Sequence, residues 1–442
     1  MSAFPLGAVR RDDVLDVVGV GFGPSNLALA IALAEHGQAH PGAPLRGRFL
    51  ERQEQFGWHR GMLLEDATMQ VHYLKDLATQ RNPRSGFSFV SYLHEKDRLA
   101  DFINYGSAYP TRREFHDYLE WAAARIDPDT VDYGTEVTAL RLVPGPGGPA
   151  DLVEIEVGKD GTRHTLTARN VVLGTGLVPH VPEGTPLGER VWHSKDLLVR
   201  LPTLADDPRR VAVVGAGQSA AEVVDHLHRR FPDAEVAAIF ARYGFSPADD
   251  SSFANRIFDP EAVDDVFNAA PAVRDRILGY HGNTNYSVVD GELITALYRE
   301  HYKERVAGRE RLRFHNASRV AAIEPRDDGA DVVVESLIDS TREVVAADLV
   351  VYATGYRTSD PLEMLGDAAA GWPRDEQGRV DFRRDYRVVT PPEVTAGLFA
   401  PGATEHTHGL TSTLLSNVSV RAGEMVASMA SSRDGVRWST AV

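Results

Sequence analysis

The sequence predicts an α/β protein with two parallel-sheet units, the second inserted in the first, and three features carry that expectation. Near the start, DVLDVVGVGFGPSNLALAIALAEHG places a glycine-rich turn between an apolar run and a helix of small residues. A second unit of the same kind begins at RRVAVVGAGQSAAEVV. Two further apolar runs that end in small turns, RNVVLGTGLVP and ADLVVYATGYRT, bracket this second unit. A length of 442 residues also exceeds one ordinary core and suggests two or three domains.

In the first unit the pattern reads as a buried strand from Val14 to Val20, a turn carrying Gly19, Gly21 and Gly23, and a helix from Pro24 to Glu35. This order suits a dinucleotide: glycines let the backbone approach a pyrophosphate, and the helix start at Pro24 and Ser25 offers amide donors and a positive dipole end. GRFLERQEQFGW then supplies Glu51 at the end of the next strand, where a carboxylate can hold ribose hydroxyls. In the second unit, strand Val211 to Val214 leads into Gly215, Gly217, Gln218 and Ser219, with a helix from Ala220 to Arg230. The following strand, VAAIF, ends at Ala241 and Arg242 without an acid. Losing the acid removes repulsion against a 2′-phosphate, and Arg242 can pair with one, so this half favours NADPH; the alternative for Arg242 is a solvated surface arginine.

Gly174-Thr175-Gly176 and Ala353-Thr354-Gly355 read as crossings between the units. The expected organisation is therefore two Rossmann-like dinucleotide-binding domains, for FAD and NADPH, with the NADPH domain inserted in the FAD domain. The boundaries are residues 1–203 for the first part of the FAD domain, 204–250 and 289–356 for the NADPH domain, 251–288 for a small, mainly helical substrate-binding segment, and 357–442 for the return to the FAD domain. The stretch Pro144 to Asp151 reads as a hairpin loop, and MQVHYLKDLATQRNP, from Met69, carries a strand-like alternation into Lys75 and Asp76.

Composition narrows the chemistry. A net charge of -16 argues against an extended nucleic-acid footprint. No cysteine is present, which removes disulfides, thiolate catalysis and a redox-active disulfide outlet for flavin electrons. MSAFPLGAVRRDD lacks the apolar core of a signal peptide and no apolar run reaches membrane-spanning length, so a cytoplasmic location and no membrane partner are expected. With FAD and NADPH in one chain and no thiols, the remaining outlet is molecular oxygen. The expectation is a flavin monooxygenase, whose reduced cofactor captures oxygen as a peroxide that a substrate nucleophile attacks.

Beyond the glycine motifs, WHRGM, MQVHYLKDLATQRNPRSGFSFVSYLHEKDRL, PTRREFHDYLEWAA, DDSSFANRIFDP, NTNYSVVD, ATGY and EHTHGLTSTLLSNVSVRAGEM follow in order. Together with the glycine units, from about Asp13 to Met425, they resemble the microbial L-ornithine/L-lysine N-monooxygenases of siderophore and related biosynthesis. The resemblance implies hydroxylation of the side-chain amine of L-ornithine with FAD, NADPH and oxygen, with L-lysine or a diamine such as putrescine or cadaverine as the alternative. A Baeyer–Villiger-type monooxygenase is the remote alternative. It also implies a homo-oligomer, a dimer or tetramer.

Residue by residue, the resemblance places the substrate carboxylate on Lys75 and its polar ends near Asn255, Asn285 and Ser416. Gln70 falls beside flavin and NADP, and Gln70 with Asn285 takes the catalytic role. Ser219 and Arg242 hold NADPH, although Ala241 precedes Arg242 and shifts the register by one. Thr354, Gly355, His408 and Leu415 fall on the cofactor side, and Trp58 and His59 pack near the flavin ring. His406 and His408 lack ligand partners at metal spacing, so no metal is expected.

Each residue has a plainer reading. Lys75 can pair with Asp76 at a surface. Asn255 and Asn285 can be turn residues, Asn285 at a helix start. Ser416 can be a helix residue bonded to a local carbonyl. Asparagine beside the reacting nitrogen nevertheless has a physical reason: its oxygen orients an N–H without a negative charge that would hold the ammonium proton.

Overall fold

The computed structural model describes residues 14–144 and 148–433. The N-terminal segment read as lacking a signal peptide and the tip of the 144–151 hairpin lie outside the described residues. In chain order the first unit comprises β1 (Leu15–Val20), α1 (Pro24–Ala39), β2 (Gly47–Leu50), α2 (Phe89–Glu95), α3 (Leu99–Tyr105), α4 (Arg112–Ala124), β3 (Val131–Asp132), β4 (Glu136–Pro144), β5 (Ala150–Lys159) and β6 (Thr162–Leu173). After β7 (Val178–Pro179) come β8 (Val191–His193), α5 (Leu197–Arg200), β9 (Arg210–Val214), α6 (Gln218–Arg230) and β10 (Glu235–Ile239). A helical stretch follows, with a 3-10 turn at Ala254–Phe258, α7 (Ala262–Asn268), α8 (Pro271–His281) and α9 (Gly291–Ala307). The chain continues through β11 (Leu312–His315), β12 (Ser318–Arg326), β13 (Gly329–Ser336), β14 (Arg342–Ala347), β15 (Leu349–Tyr352) and β16 (Tyr356–Arg357), and ends in β17 (Gly397–Phe399), α10 (Glu405–His408) and α11 (Val418–Arg433).

Two separate sheets carry the two glycine motifs. The first runs β3-β2-β1-β6-β5-β4, with β17 paired in parallel to β6. The second runs β11-β10-β9-β15-β8, every neighbouring pair parallel. Because β17 rejoins the first sheet after the second is complete, the second unit is inserted in the first. Helix α11 then packs along α1, and Leu27, Ile31, Met425 and Met429 share one core. The apolar runs of β1 and β9 follow from parallel strands covered on both faces.

Both glycine turns are fixed by the same device. Gly21 has φ 81°, and a Cβ there would stand 2.6 Å from the carbonyl oxygen of Gly174. Gly215, at φ 144°, abuts the Ala353 carbonyl in the same way. Each crossing therefore packs into the turn of its own sheet, and only glycine fits. The crossings meet each other through β7 and β16, paired antiparallel at Tyr356↔Pro179.

Several boundaries differ from the sequence reading. Helix α1 runs on to Ala39, α6 starts at Gln218 rather than Ala220, and β1 starts at Leu15. Strand β8 pairs with β15, so residues 191–193 sit in the second sheet, upstream of the expected boundary at 204. The 144–151 stretch does join two antiparallel strands, with Pro144 opposite Ala150. MQVHYLKDLATQRNP is not a strand: residues 70–82 form successive bends and turns. The cause is Asp76, whose buried carboxylate accepts from the backbone N–H groups of Ala78, Thr79 and Phe89 and from the Thr79 hydroxyl, folding the chain around itself.

Candidate active site

The first glycine turn presents the start of α1 with room in front of it. Gly23 caps the helix without a side-chain hydrogen bond, Pro24 occupies its first turn, and a Cβ on Gly23 would meet nothing within 4 Å. Ser25 Oγ is buried with no partner among the described residues. A free helix start and an orphaned hydroxyl at a glycine turn suit the pyrophosphate of FAD. Gly19, inside β1, is required for a different reason, since a Cβ would collide with the ring of Phe49. Glu51 is buried at the end of β2, accepting from Phe22 N at 2.7 Å and Gln53 N at 2.9 Å.

The second turn has the same shape. Gly217 caps α6 without a side-chain bond, Ser219 lies half-buried in its first turn, and the exposed Arg242 follows β10 with no ion pair among the described residues. These features suit the phosphates of NADPH. The Gln218 side chain donates one amide N–H to Glu222 Oε1 at 3.0 Å and accepts from Asp290 N at 2.8 Å. Its second amide N–H and its backbone N–H are the donors it has for a phosphate. Thr354 and Gly355 are likewise used in the crossing, where the Thr354 hydroxyl donates to the His180 carbonyl and the Gly355 carbonyl accepts from His180 N and His193 Nε2.

Between the sheets lie Trp58 and His59, their rings 4.6 Å apart, with His59 also edge-on to Tyr356 of the second crossing. The protein mass around the His59 ring and the charge of Arg112 push its pKa down to about 4. It is neutral at physiological pH, which fits packing rather than proton transfer. Arg112, at the start of α4, joins the units: its guanidinium makes a bidentate pair with Glu222 of α6 at 2.7 and 2.8 Å and donates to the Met62 carbonyl.

Lys75 is not paired with Asp76. That carboxylate is consumed by the turn, and Lys75 makes no ion pair among the described residues; its ammonium stands 5.7 Å over the ring of Phe258. Burial lowers the Lys75 pKa from its usual value, with the charge of Asp259 working against the shift. Phe258 belongs to the 3-10 turn that holds Asn255. Its carbonyl accepts from the side-chain amide of Asn417, which also donates to the Ser416 carbonyl. Lys75 and Asn417, the neighbour of Ser416, thus both meet Phe258, whose turn also carries Asn255. Asn255 donates its amide to the Asp250 carbonyl at 2.7 Å, and its oxygen has no protein donor among the described residues.

Asn285 ends a 3-10 turn at Gly282–Thr284 rather than starting a helix; the cap of α9 is Asp290, which accepts from Glu292 N and Leu293 N. The next residue, Tyr286, donates its hydroxyl to Glu405 of α10, bringing the Asn285 turn onto the returning chain. Burial raises the Glu405 pKa against the effect of that hydroxyl. Gln70 is exposed and makes no protein hydrogen bond among the described residues, whereas Leu415 packs against the first core. His408 is buried, stacked 4.4 Å from Tyr386, and bonded through Nδ1 to Thr407 and through Nε2 to the Arg384 carbonyl, so both ring nitrogens bond to the protein. His406 similarly donates to the Val380 carbonyl.

Sequence reading missed Asp76, Phe258, Asn417 and the Arg112–Glu222 pair. The first had a signal, since a carboxylate followed at the third position by threonine marks a local turn. The others join residues more than a hundred positions apart and had none.

Comparison with known proteins finds relatives along nearly the whole chain. Residues 13–358 match the family described as L-lysine 6-monooxygenase/L-ornithine 5-monooxygenase. The L-ornithine N(5)-monooxygenase of Burkholderia cepacia is 40% identical over 410 residues, 91% of each chain. The ornithine N-hydroxylase of Kutzneria sp. 744, whose structure is described with reduced FAD, NADP+ and L-ornithine, superposes with TM-score 0.91 at 48% identity, covering 95% of this chain and 100% of that one. The L-lysine 6-monooxygenase of Pseudomonas syringae gives TM-score 0.82 at 31% identity over 94% and 99% of the two chains. With the family's match spanning most of its length, and relatives this similar along nearly all of it, the chain belongs to the L-lysine 6-monooxygenase/L-ornithine 5-monooxygenase family.

Proposed function

We propose that the protein hydroxylates the side-chain amine of L-ornithine, converting R–NH2, O2, NADPH and a proton into R–NHOH, NADP+ and water. The observation that carries this reading is the half-buried Lys75 ammonium, which has no anionic partner among the described residues and stands over the ring of Phe258, in the turn that carries Asn255. A cation so placed suits the carboxylate of an amino acid, and a diamine has none to offer. Relatives named L-ornithine N(5)-monooxygenase, at 40% and 37% identity, support ornithine over lysine.

FAD, held at the Gly19–Ser25 turn and Glu51, supplies the transfer of electrons from NADPH to oxygen. The Gly215–Ser219 turn would hold NADPH, and Arg242 would pair with its 2′-phosphate. The protein's own work is positional. Lys75 fixes one end of the substrate, the side-chain oxygens of Asn255 and Asn285 accept from its N–H groups, and Ser416 adds a hydroxyl at its polar end. Gln70 bridges towards the cofactors, while Trp58 and His59 keep water from the cleft between the sheets.

The amine must react neutral. At pH 7.4 an ordinary alkylammonium is neutral in about one part in a thousand, a deficit of roughly 4 kcal/mol. Neutral asparagines leave the free amine accessible, where a carboxylate would hold the proton. Hydroxylamine formation that rises with L-ornithine tests the reading, and no product with any amine would overturn it.

A cytoplasmic location and a homo-oligomeric assembly, a dimer or tetramer, complete the proposal. No helix among the described residues is long and apolar enough to cross a membrane. Light scattering of the purified protein measures the assembly.

A further inference from the structure

Among the described residues, Arg421 of α11 is the only lysine or arginine that is buried. A cation stripped of water is costly to hold, and no carboxylate among the described residues lies within ion-pair distance of it. Glu424, on the same helix, is paired with Arg384 at 3.0 Å instead. The Arg421 guanidinium is held by backbone. Its Nη1 donates to the carbonyls of Thr411 and Ser412 at 3.1 and 2.9 Å, and its Nη2 to that of Leu414 at 3.4 Å. Its Nε is buried without a partner, and the Tyr386 ring lies 5.9 Å away. The buried charge is thus devoted to the shape of one short loop, between α10 and α11.

That loop leads into the site. In a trans peptide the C=O and the following N–H point opposite ways, so drawing the Leu414 carbonyl to Arg421 turns the Leu415 N–H away from it. This N–H, and those of Ser416 and Asn417, make no hydrogen bond among the described residues. The Asn417 side chain then reaches the Phe258 carbonyl, and Lys75 stands over the Phe258 ring. We propose that Arg421 is a positioning residue for the reaction. It sets Leu415 and Ser416, and through Asn417 the Phe258 turn, so that the amine is held where oxygen transfer captures it. This rests on the amine-hydroxylation reading above and goes beyond it by naming the residue behind the pocket wall that keeps NADPH oxidation coupled to hydroxylation.

The competing role is plainly structural, with the guanidinium only satisfying buried carbonyls. The two roles differ in what a folded, flavin-loaded variant does. With the loop loosened, the amine is misplaced while NADPH is still oxidised, and NADPH, a proton and O2 leave as NADP+ and hydrogen peroxide. Hydroxylamine and hydrogen peroxide formed per NADPH consumed are measured at saturating L-ornithine, with FAD content and melting temperature, for the unaltered protein, Arg421→Met and Arg421→Lys. In Arg421→Met, hydroxylamine per NADPH falls about tenfold, less than the roughly hundredfold in rate that a misplacement of about 1 Å can cost, and hydrogen peroxide makes up the difference. Arg421→Lys keeps the charge and three donors and recovers part of the loss. The KM for NADPH stays within about twofold in both. Asn417→Ala cuts the link to Phe258 without touching the arginine, and it carries the same signature should neither Arg421 variant fold. A hydroxylamine-to-NADPH ratio within about twofold of the unaltered value in folded Arg421→Met, or in Asn417→Ala where no Arg421 variant folds, overturns the assignment even if the melting temperature drops. Absence of any hydroxylamine from the unaltered protein would instead refute the substrate reading.

Discussion

Replacing Lys75 with methionine removes the charge while keeping a stem that packs over Phe258. Two unit charges 4 Å apart attract by about 4 kcal/mol at the effective dielectric of a protein surface. Lys75 is only half-buried, so solvent screening reduces this to about 2 kcal/mol, a factor of about 30 in binding. The carboxylate is distant from the reacting amine and bound alike in ground and transition states, so the loss belongs in KM and not kcat. The assay is hydroxylamine formation against substrate concentration, with putrescine as the control because it has no carboxylate. The KM for L-ornithine should rise about 30-fold, the scale set by that attraction, with putrescine kinetics unchanged within about twofold. An L-ornithine KM within about threefold of the unaltered value, or an equal loss with putrescine, would refute the reasoning.

Three further outcomes follow from the geometry. Gly23→Ala meets no protein atom within 4 Å, so the fold should survive with its melting temperature little changed, while FAD retained on purification falls; Gly21→Ala, strained and driven against the Gly174 carbonyl, should lower both by about 1–3 kcal/mol of stability. Glu222→Gln leaves the largely buried Arg112 without its anion and should cost about 2–4 kcal/mol in denaturant unfolding, whereas exposed Glu95→Gln, paired with Arg125, should cost less than about 1. Burial holds His408 down at a pKa of about 3, so its contribution is fully present above the unfolded-state value of 6.5 and is lost as pH falls below it. At pH 5 the unaltered protein should have lost about 2 kcal/mol more, relative to pH 7.5, than His408→Gln, read from urea unfolding of both.

The parts of the fold that were legible in the sequence are those fixed by local pattern. β1 and β9 announced themselves by unbroken apolar runs, and Gly21 and Gly215 by the turn each needs. The insertion was readable because the two crossings carry the same small residues. The turn around Asp76 was misread as a strand because alternation at 69–75 imitates the pleat, while the carboxylate that overrides it takes donors as far away as Phe89. Gln218 and His408 lay on motif positions, and Glu222, Asp290, Thr407 and the Arg384 carbonyl bond to their side chains. Partners from remote segments set how many polar atoms a motif residue has left, and spacing does not reveal them. Lys75 was identified through resemblance; the structure shows Asp76 engaged in its own turn and so not paired with it.

The central claim is that this protein oxygenates the side-chain amine of L-ornithine. Its most direct test is a side-by-side assay of hydroxylamine product with L-ornithine, L-lysine, putrescine and cadaverine, under FAD, NADPH and air. The account predicts product with L-ornithine at the highest kcat/KM of the four, with L-lysine lower by the roughly 10–200-fold that one methylene permits. Equal or better turnover of either diamine, or NADPH oxidation without hydroxylamine from any of them, would contradict it.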